Sequence, residues 1–530
     1  MNLAANSGGP MVNWVEVLKT DQLEESKGTT VFVNERDIAL YKYLGDFYAL
    51  DNRCIHRDGQ LGDGYMEGPN VFCPLHKWDY DVRTGVSRYT EDETVPVYPV
   101  RQVNGRVEID ADAVPPKPRY EGEYLGLWAR RNDPLETEMH DIHSYSRGRR
   151  AFVEGMGSEK RDYASLGDLY FLPGQLAVLP LLDDVPISTE TVIAAKRKQP
   201  LKLRAPIFVS HMSYGALSKE AKLALAKGAA EFGTLMCSGE GGMLPEARAA
   251  AGQYIFEMAS GYFGWNEESI AKADGIEIKM GQSAKAGLGG LLPGHKVTAD
   301  IAAVRGLRAG QEARSPSRFP DIHTVADMQE RIAWIRSVKP DIPVGIKLAA
   351  SRIEADLAAA VKLDIDWITL DGRAGGTGAA AKHIMDNICV PTVFAIPRAR
   401  RWLDDNGHRE ISLIATGGLR TSADVAKALA LGADAVALAT AAMIAIGCKQ
   451  YRACSSDSCP VGIATQKMNL RARFDVETSK QRLVNFFEAM TEQMSEFARM
   501  CGKRSVHDLS YEDLATTSHE ISLHTPVQHV

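Results

Sequence analysis

The sequence predicts a multidomain chain of two classes: a small all-β domain, then an α/β domain built as a (β/α)8 barrel with a helical C-terminal tail. Three observations predict it. Short β-branched and aromatic runs, broken by Gly, Asn and Asp, fill residues 11 to 112. From Ala205 short apolar runs alternate with Ala-rich helical ones. Beyond Gln466 a long amphipathic stretch takes over.

The β-type runs TTVFVNE, IALYKYL, FYALDN and RVEIDA read as strands of the first domain. The segment VPPKPRYEGEY, starting at Val114, is Pro-rich and polar and reads as a linker. Residues 115–200 are expected to include a cover between domains. Barrel strands are expected at 206–210, 233–238, 275–280, 343–349, 367–372, 391–396, 410–415 and 435–440. Helices such as LSKEAKLALAKGAAEF and SADVAKALALG lie between them, and SKQRLVNFFEAMTEQMSEFARM is one amphipathic helix of the tail. The expected boundaries are 1–112 for the β domain, 113–150 for the linker, 151–470 for the barrel and 471–530 for the helical extension.

A chain of 530 residues, 45% hydrophobic and 24% charged, has the composition of a soluble globular protein. Its net charge of −7 gives no reason to expect nucleic acid or an anionic membrane as partner. No run of apolar residues is long enough to span a bilayer. The N-terminus lacks a charged segment followed by an apolar run, so a cytoplasmic location is expected. Five of the eight cysteines fall in two tight clusters, which in such a chain points to metal rather than disulfides. Cys237, Cys389 and Cys501 stand alone and read as ordinary buried residues.

The first cluster is Cys54-x-His56, sixteen residues, then Cys73-x-x-His76. A 2Fe–2S centre with two thiolates on one iron and two imidazoles on the other needs two loops, each offering one Cys and one His. Gly59, Gly62, Gly64 and Pro74 allow the tight backbone such loops need. A mononuclear zinc site uses the same ligand types, but requires neither the spacer nor the trailing HKWDYDVRTG. The segment resembles the Rieske ferredoxin family over about residues 13–112. That resemblance implies that Cys54 and Cys73 bind one iron and His56 and His76 the other. Neutral imidazoles make such a cluster easier to reduce, with potentials of roughly −150 to +300 mV.

The second cluster is Cys448-x5-Cys454-x4-Cys459-Pro460. Three close thiolates suit a cluster with one open iron corner; three buried structural cysteines are the alternative. Before it, the stretch 416–441 leaves a strand through Gly417-Gly418, and Thr421 or Ser422 can cap the next helix. Loops after the seventh and eighth strands of such barrels commonly hold phosphate, so a phosphate-bearing cofactor is expected there.

The motifs SHMSYGALS, SGEGG, IEIKMGQSAKAGLGG, LPGHKV, SPSRFPDIHTVADM, GIKLAAS, AGGTGA, TGGL and GCKQYRACSSDSCPVGIATQ occur in one order. Over about residues 150–515 the chain resembles the FMN-binding synthase domain of glutamate synthase. The resemblance implies FMN on the barrel, with a 3Fe–4S cluster held by Cys448, Cys454 and Cys459 beside it. Met212, Ser213, Lys347, Gly375, Gly376, Gly417, Gly418 and Thr440 are expected to line the flavin. A lysine at the flavin pyrimidine ring stabilises the negative charge of the reduced form, which gives Lys347 a physical role. Lys279, Lys285 and Arg305 match positions that hold 2-oxoglutarate, and Glu240 matches a carboxylate that orients an amine or imine.

Departures from the family pattern narrow these expectations. The glutaminase domain with its N-terminal catalytic cysteine and the glycine-rich β-helix domain have no counterpart in this sequence. The substrate loop reads SAKAGLGGLLPG where the family reads GAKPGEGGQLPG, with Leu288 for Glu and Leu291 for Gln, two polar groups expected to face substrate. Asp371-Gly372-Arg373 precedes AGGTGA where the family has Gly-His-Asp. The reading is a flavin-dependent oxidoreductase acting on the C–N bond of an amino or imino acid, with electrons relayed through 3Fe–4S and Rieske centres. A small amino acid or 2-oxoacid and a redox partner protein are the expected partners. Two further readings are an FMN and iron–sulfur subunit of a glutamate or N-methylglutamate synthase, served by separate glutaminase-like and β-helix subunits, and an electron-transfer protein without its own substrate. A Rieske potential toward the positive end favours electron removal, since about 59 mV is tenfold in a one-electron equilibrium.

Overall fold

The computed structural model describes residues 12–56, 58–88, 94–116, 136, 138–146, 148, 153, 155–158, 160 and 163–530. Most of the expected linker therefore lies outside the described residues. The chain divides into two compact units: residues 1–150 with Lys449–Tyr451, and residues 151–448 with 452–530.

The first unit is all-β. Strands Gly28–Val33, Arg36–Tyr43, Asp46–Asp51 and Val97–Tyr98 form one antiparallel sheet, and Trp14–Lys19, Arg106–Asp110 and Val100–Val103 a second. Two-residue hairpins join neighbours, with Asn34 and Glu35 at φ 52° and 62° and Leu44 and Gly45 at 52° and 85°. That double left-handed geometry matches the strand twist. Arg36–Tyr43 is buried on both faces. Ile38 and Leu40 pack with Phe47, Val107 and Ile109, while Ala39 and Tyr41 pack with Cys54, Leu61, Cys73 and Tyr80. A third sheet is formed by Tyr65–Glu67, Asn70–Phe72 and Asp79–Asp81; the Cys73–His76 loop joins its last two strands, while the Cys54–His56 loop follows strand Asp46–Asp51 of the first sheet.

The second unit is a closed parallel barrel of Ile207–Val209, Leu235–Cys237, Gln253–Met258, Gly275–Lys279, Val344–Ala349, Trp367–Asp371, Ser412–Thr416 and Ala435–Leu438. Eight strands are present as expected, but two places differ. The stretch 391–396 is the start of helix Thr392–Asp405, and Gln253–Met258 takes third place in the barrel. The β-branched residues after Pro391 imitate a strand, yet Val393, Ile396, Ala399 and Leu403 bury one helical face. The missed strand carries Glu257, a carboxylate where the apolar pattern predicts none.

Strands Thr191–Ile193 and Leu201–Leu203 form a hairpin whose Ile193, Leu201 and Leu203 pack with Phe208, Leu235, Ile255 and Trp367. Ile193, within the stretch expected to include a cover between domains, thus packs into the apolar floor of the barrel. Cys237 lies in the same cluster as a buried core residue. Helix Lys219–Phe232, capped by Ser218, and the tail helix Val476–Met500, capped by Asp475, stack together through Phe232 and Phe487. Beyond it the tail is not wholly helical. Leu514–Thr516 pairs with Leu169–Phe171 and with Gln528–His529.

Candidate functional site

In the first unit two loops mirror each other. The Cys54 amide donates to Gly59 O and the Asp58 amide to Cys54 O; the Cys73 amide donates to Trp78 O and the Lys77 amide to Cys73 O. Asp58 and Lys77 occupy the same loop position, both left-handed at φ 56° and 64°. The loops pack so closely that a Cβ on Gly59 would fall 2.4 Å from Cys73 Sγ. Both cysteines are buried, while His56 and His76 are half-buried with ring centroids 4.9 Å apart. Trp78 stacks on His56 at 4.4 Å. Of the two buried thiols Cys73 is the easier to ionise: the Cys54 thiol donates to it and the amides of Leu75 and His76 assist, holding it below the usual thiol range. Two thiols inside and two imidazoles reaching outward, from loops of matching fold, fit a two-iron centre with unlike ligands on its irons.

In the second unit a polar layer lies above the apolar floor. Glu277 accepts from Trp367 Nε1 at 2.9 Å and Thr369 Oγ1 at 2.5 Å, and pairs with His211 Nε2 at 2.5 Å. Burial opposes its ionisation, but His211, Lys347 and Thr369 outweigh that and hold it down to about 2. Asp371 accepts from the Ser283 amide and hydroxyl, tying the loop after the fourth strand to the end of the sixth. Lys222, wholly buried on its helix, donates to Met212 O at 2.8 Å and Ser238 O at 2.9 Å. It thereby fixes the backbone of both loops that carry Met212, Ser213 and Glu240.

Two cavities open above this layer. The larger, about 390 Å³, is lined by Met212, Ser213, Glu240, Lys279, Lys285, Arg305, Gly376, Thr440 and Cys454. The smaller, about 40 Å³, is lined by Lys347, Gly375, Gly376, Gly417, Gly418 and Thr440. His211, Gln282, Gly376, Ala439 and Thr440 line both. Gly417 and Gly418 turn at φ 99° and 90°, and a Cβ on Gly417 would fall 2.2 Å from Gly372 O. Thr421 then caps helix Ser422–Ala430 with a capping box to Asp424. The backbone bend, the buried Lys347 and the loops after strands seven and eight fit a flat, phosphate-bearing group.

In the larger cavity Lys279 Nζ donates to Glu240 Oε2 at 2.7 Å, and Lys285 Nζ lies 3.8 Å from Glu240 Oε1. Burial opposes the Glu240 charge, but Lys279, Lys285 and Arg305 overcome it and hold the carboxyl well below its usual range. Glu240 therefore accepts hydrogen bonds and does not donate at neutral pH. Arg305 donates to Tyr214 O at 2.7 Å. Leu291 lines the cavity, whereas Leu288 is half-exposed and does not line it, so only one of the two altered loop positions faces a ligand. Cys454 is on the cavity wall, pushed up to about 12 by burial and by Cys459 and Cys448. The loop that carries these cysteines turns through left-handed Gln450, Arg452 and Asp457 at φ 60°, 55° and 63°. Lys296, also on the wall, donates to Cys454 O and Ala464 O, both at 3.1 Å.

Sequence reasoning missed His211, Gln282, Glu257, Glu277, Lys222 and Lys296 as parts of this site. A signal existed for the two glutamates, each a carboxylate flanked by apolar residues inside a strand. His211 stands between strand one and Met212, inside a motif already singled out.

The fold and these sites define a two-domain protein that joins a Rieske-type domain to a (β/α)8 barrel. The model of the Rieske 2Fe–2S domain matches residues 13–99, and that of the conserved region in glutamate synthase matches residues 169–504. The chain belongs to the glutamate synthase family and carries an N-terminal Rieske domain. It is 43% identical over 312 residues to archaeal glutamate synthase (NADPH) of Methanocaldococcus jannaschii, covering 58% of this chain and 61% of that one. It is 35% identical over 412 residues to a glutamate synthase large subunit-like protein of Rhizobium meliloti, covering 73% and 93%. With archaeal-type glutamate synthase (NADPH) of Thermotoga maritima it shares 38% over 330 residues, covering 62% and 64%. The matched region thus spans less than two thirds of the archaeal-type relatives. Among the described residues no helix is long and apolar enough to cross a membrane.

Proposed function

We propose that this chain is a flavin-dependent oxidoreductase acting on the C–N bond of an amino or imino acid. In this reading residues 1–112 form the Rieske domain and residues 151–470 the FMN barrel, and Cys448, Cys454 and Cys459 hold a 3Fe–4S cluster. The observation that carries the reading is the shared wall of the two cavities. A cationic chamber with an ionised carboxylate, Glu240, adjoins a cradle of Gly417, Gly418 and Lys347, and Cys454 lines the chamber itself.

FMN held by Lys347, Gly417 and Gly418 would supply two-electron exchange with substrate and one-electron exchange with an iron–sulfur cluster. The remaining work falls to the protein's own residues. Lys285 and Arg305 fix a carboxylate. Glu240 accepts a hydrogen bond from the substrate nitrogen and orients its Cα–H. In the oxidative direction the substrate loses two electrons and two hydrogens, one from carbon and one from nitrogen, to leave an imine; reductive synthesis is the reverse. The buried walls keep water from the reacting carbon.

The test is anaerobic flavin absorbance during addition of amino acids, then, after photoreduction, of 2-oxoacids with ammonia or methylamine. Bleaching by an amino acid establishes oxidation, and reoxidation by oxoacid plus amine establishes synthesis. Silence in both arms sinks the reading. The 93% coverage of the Rhizobium meliloti large subunit-like protein favours a second reading, in which separate glutaminase-like and β-helix subunits complete a synthase. Co-purification of such subunits at fixed stoichiometry tests it.

A further inference from the structure

The larger cavity is lined by four cations, Lys279, Lys285, Lys296 and Arg305, of which Lys296 is held by Cys454 O and Ala464 O, and this inference rests on the amino-acid reading above. Lys279 is committed to Glu240 at 2.7 Å. Lys285, 4% exposed, has Glu240 as its nearest carboxylate at 3.8 Å, beyond a hydrogen bond. Arg305 spends one nitrogen on Tyr214 O, and its Nε has no hydrogen-bond partner among the described residues. Lys285 and Arg305 are thus the two cations of this wall left to take a carboxylate from a ligand.

A second orphan completes the pattern. Glu257 is 3% exposed and on the cavity wall, and neither of its carboxylate oxygens has a hydrogen-bond partner among the described residues. Its ion partners Lys279 and Lys347 stand off at 3.7 and 4.0 Å. A buried carboxylate in this state gains from a donor such as an amine.

The wall near Glu240 and Arg305 is different. Gly290 lies against Glu240, where a Cβ would fall 2.0 Å from Oε1, and Leu291 and Leu292 follow it. Leu292 reaches the Gly215 position beside Arg305. Both leucines, with Pro293 and Met443, line the cavity with apolar surface. A second carboxylate set against these four side chains loses its water and gains no donor from them.

We propose that this cavity takes an α-amino acid, or the matching 2-oxoacid, that carries one carboxylate and an apolar side chain, with Leu291 as the specificity-determining residue. The experiment uses purified protein carrying its flavin and clusters. Leucine, glutamate, 4-methyl-2-oxopentanoate and 2-oxoglutarate are each titrated while the flavin difference spectrum and the heat of binding are followed. The expected result is at least tenfold tighter binding of the apolar member of each pair, with Leu291→Gln narrowing or reversing the ratio. Glutamate or 2-oxoglutarate binding as tightly as its apolar partner overturns this inference and leaves the oxidoreductase reading intact. No response to either class, with flavin still bound, overturns that reading and this inference together. If Leu291→Gln does not fold, the wild-type ratios alone decide.

Discussion

The Rieske loops and the barrel mouth are assembled in opposite ways. The first site takes both cysteines and both histidines from Cys54 to His76, on two loops with the same hydrogen bonds and the same left-handed residue. The second collects side chains from Met212 to Cys454, from strand ends, loops and helix ends such as Arg305 and Thr440, and none means much beside its sequence neighbours. A local site is fixed by spacing. A distributed one is fixed by a scaffold that brings distant strand ends together, and it depends on buried groups such as Lys222 that never touch a ligand. Substitutions should therefore act differently in the two regions.

The largest effect is expected at the local site. His76→Ala should abolish the Rieske electron-spin and absorbance signatures outright while flavin content stays at the wild-type level. Loss of flavin as well would show that the two regions do not act separately.

Glu240→Gln tests the distributed site. It removes the counter-charge of Lys279 and leaves a buried ammonium poorly paired, a change that costs about 3–5 kcal/mol when one partner of a buried ion pair is lost. Flavin reduction by substrate should slow by about 100-fold, in line with the loss of a group that orients the reacting atoms. Stopped-flow reduction and thermal unfolding should both move. Normal reduction rates in a destabilised protein would make Glu240 a structural residue only.

Gly417→Ala should weaken flavin binding by about thirtyfold, or about 2 kcal/mol, from clash and backbone strain together. Gly407→Ala is the matched control. It sits at φ 77° with nothing within 4 Å of the added Cβ, and so carries strain without a clash. Flavin titration of the two apoproteins separates the causes, and equal losses would remove the cradle from the account.

What the sequence made legible follows the same division. The pairing of the two Cys–His loops could be read from spacing, and the barrel from its alternating texture. The seven positions from Met212 to Arg305 and Lys347 that line the cavities were legible only through motif order, because no local pattern says that Lys279 and Glu240 meet. The helix at Thr392–Asp405 was misread because short β-branched runs serve helices and strands alike until tertiary packing chooses. Gln253–Met258 was missed because its Glu257 is paired only across the fold, with Lys279 and Lys347. Lys222 was invisible for a related reason: nothing nearby in sequence marks a helix lysine that ends among carbonyls.

The smallest expected effect is also the sharpest about mechanism. Burial pulls the Lys285 ammonium down, with Lys279 and Lys347 adding to the fall and Glu240 and Glu257 resisting it, to about 8. The charged form binds a carboxylate, so affinity should be full below pH 8 and decline as pH rises through it. A bound carboxylate raises the Lys285 pKa, and one proton is then taken up per ligand on the alkaline side. The limiting slope is about tenfold in affinity per pH unit. Dissociation constants of a carboxylate ligand, read from flavin difference spectra between about pH 6.5 and 9.5, should show this break. Lys285→Met should bind weakly with no break at 8, and Lys285→Arg, which keeps its charge throughout, should bind well with no break. A break that survives both substitutions would assign the titration to another group and leave the carboxylate held by Arg305 alone.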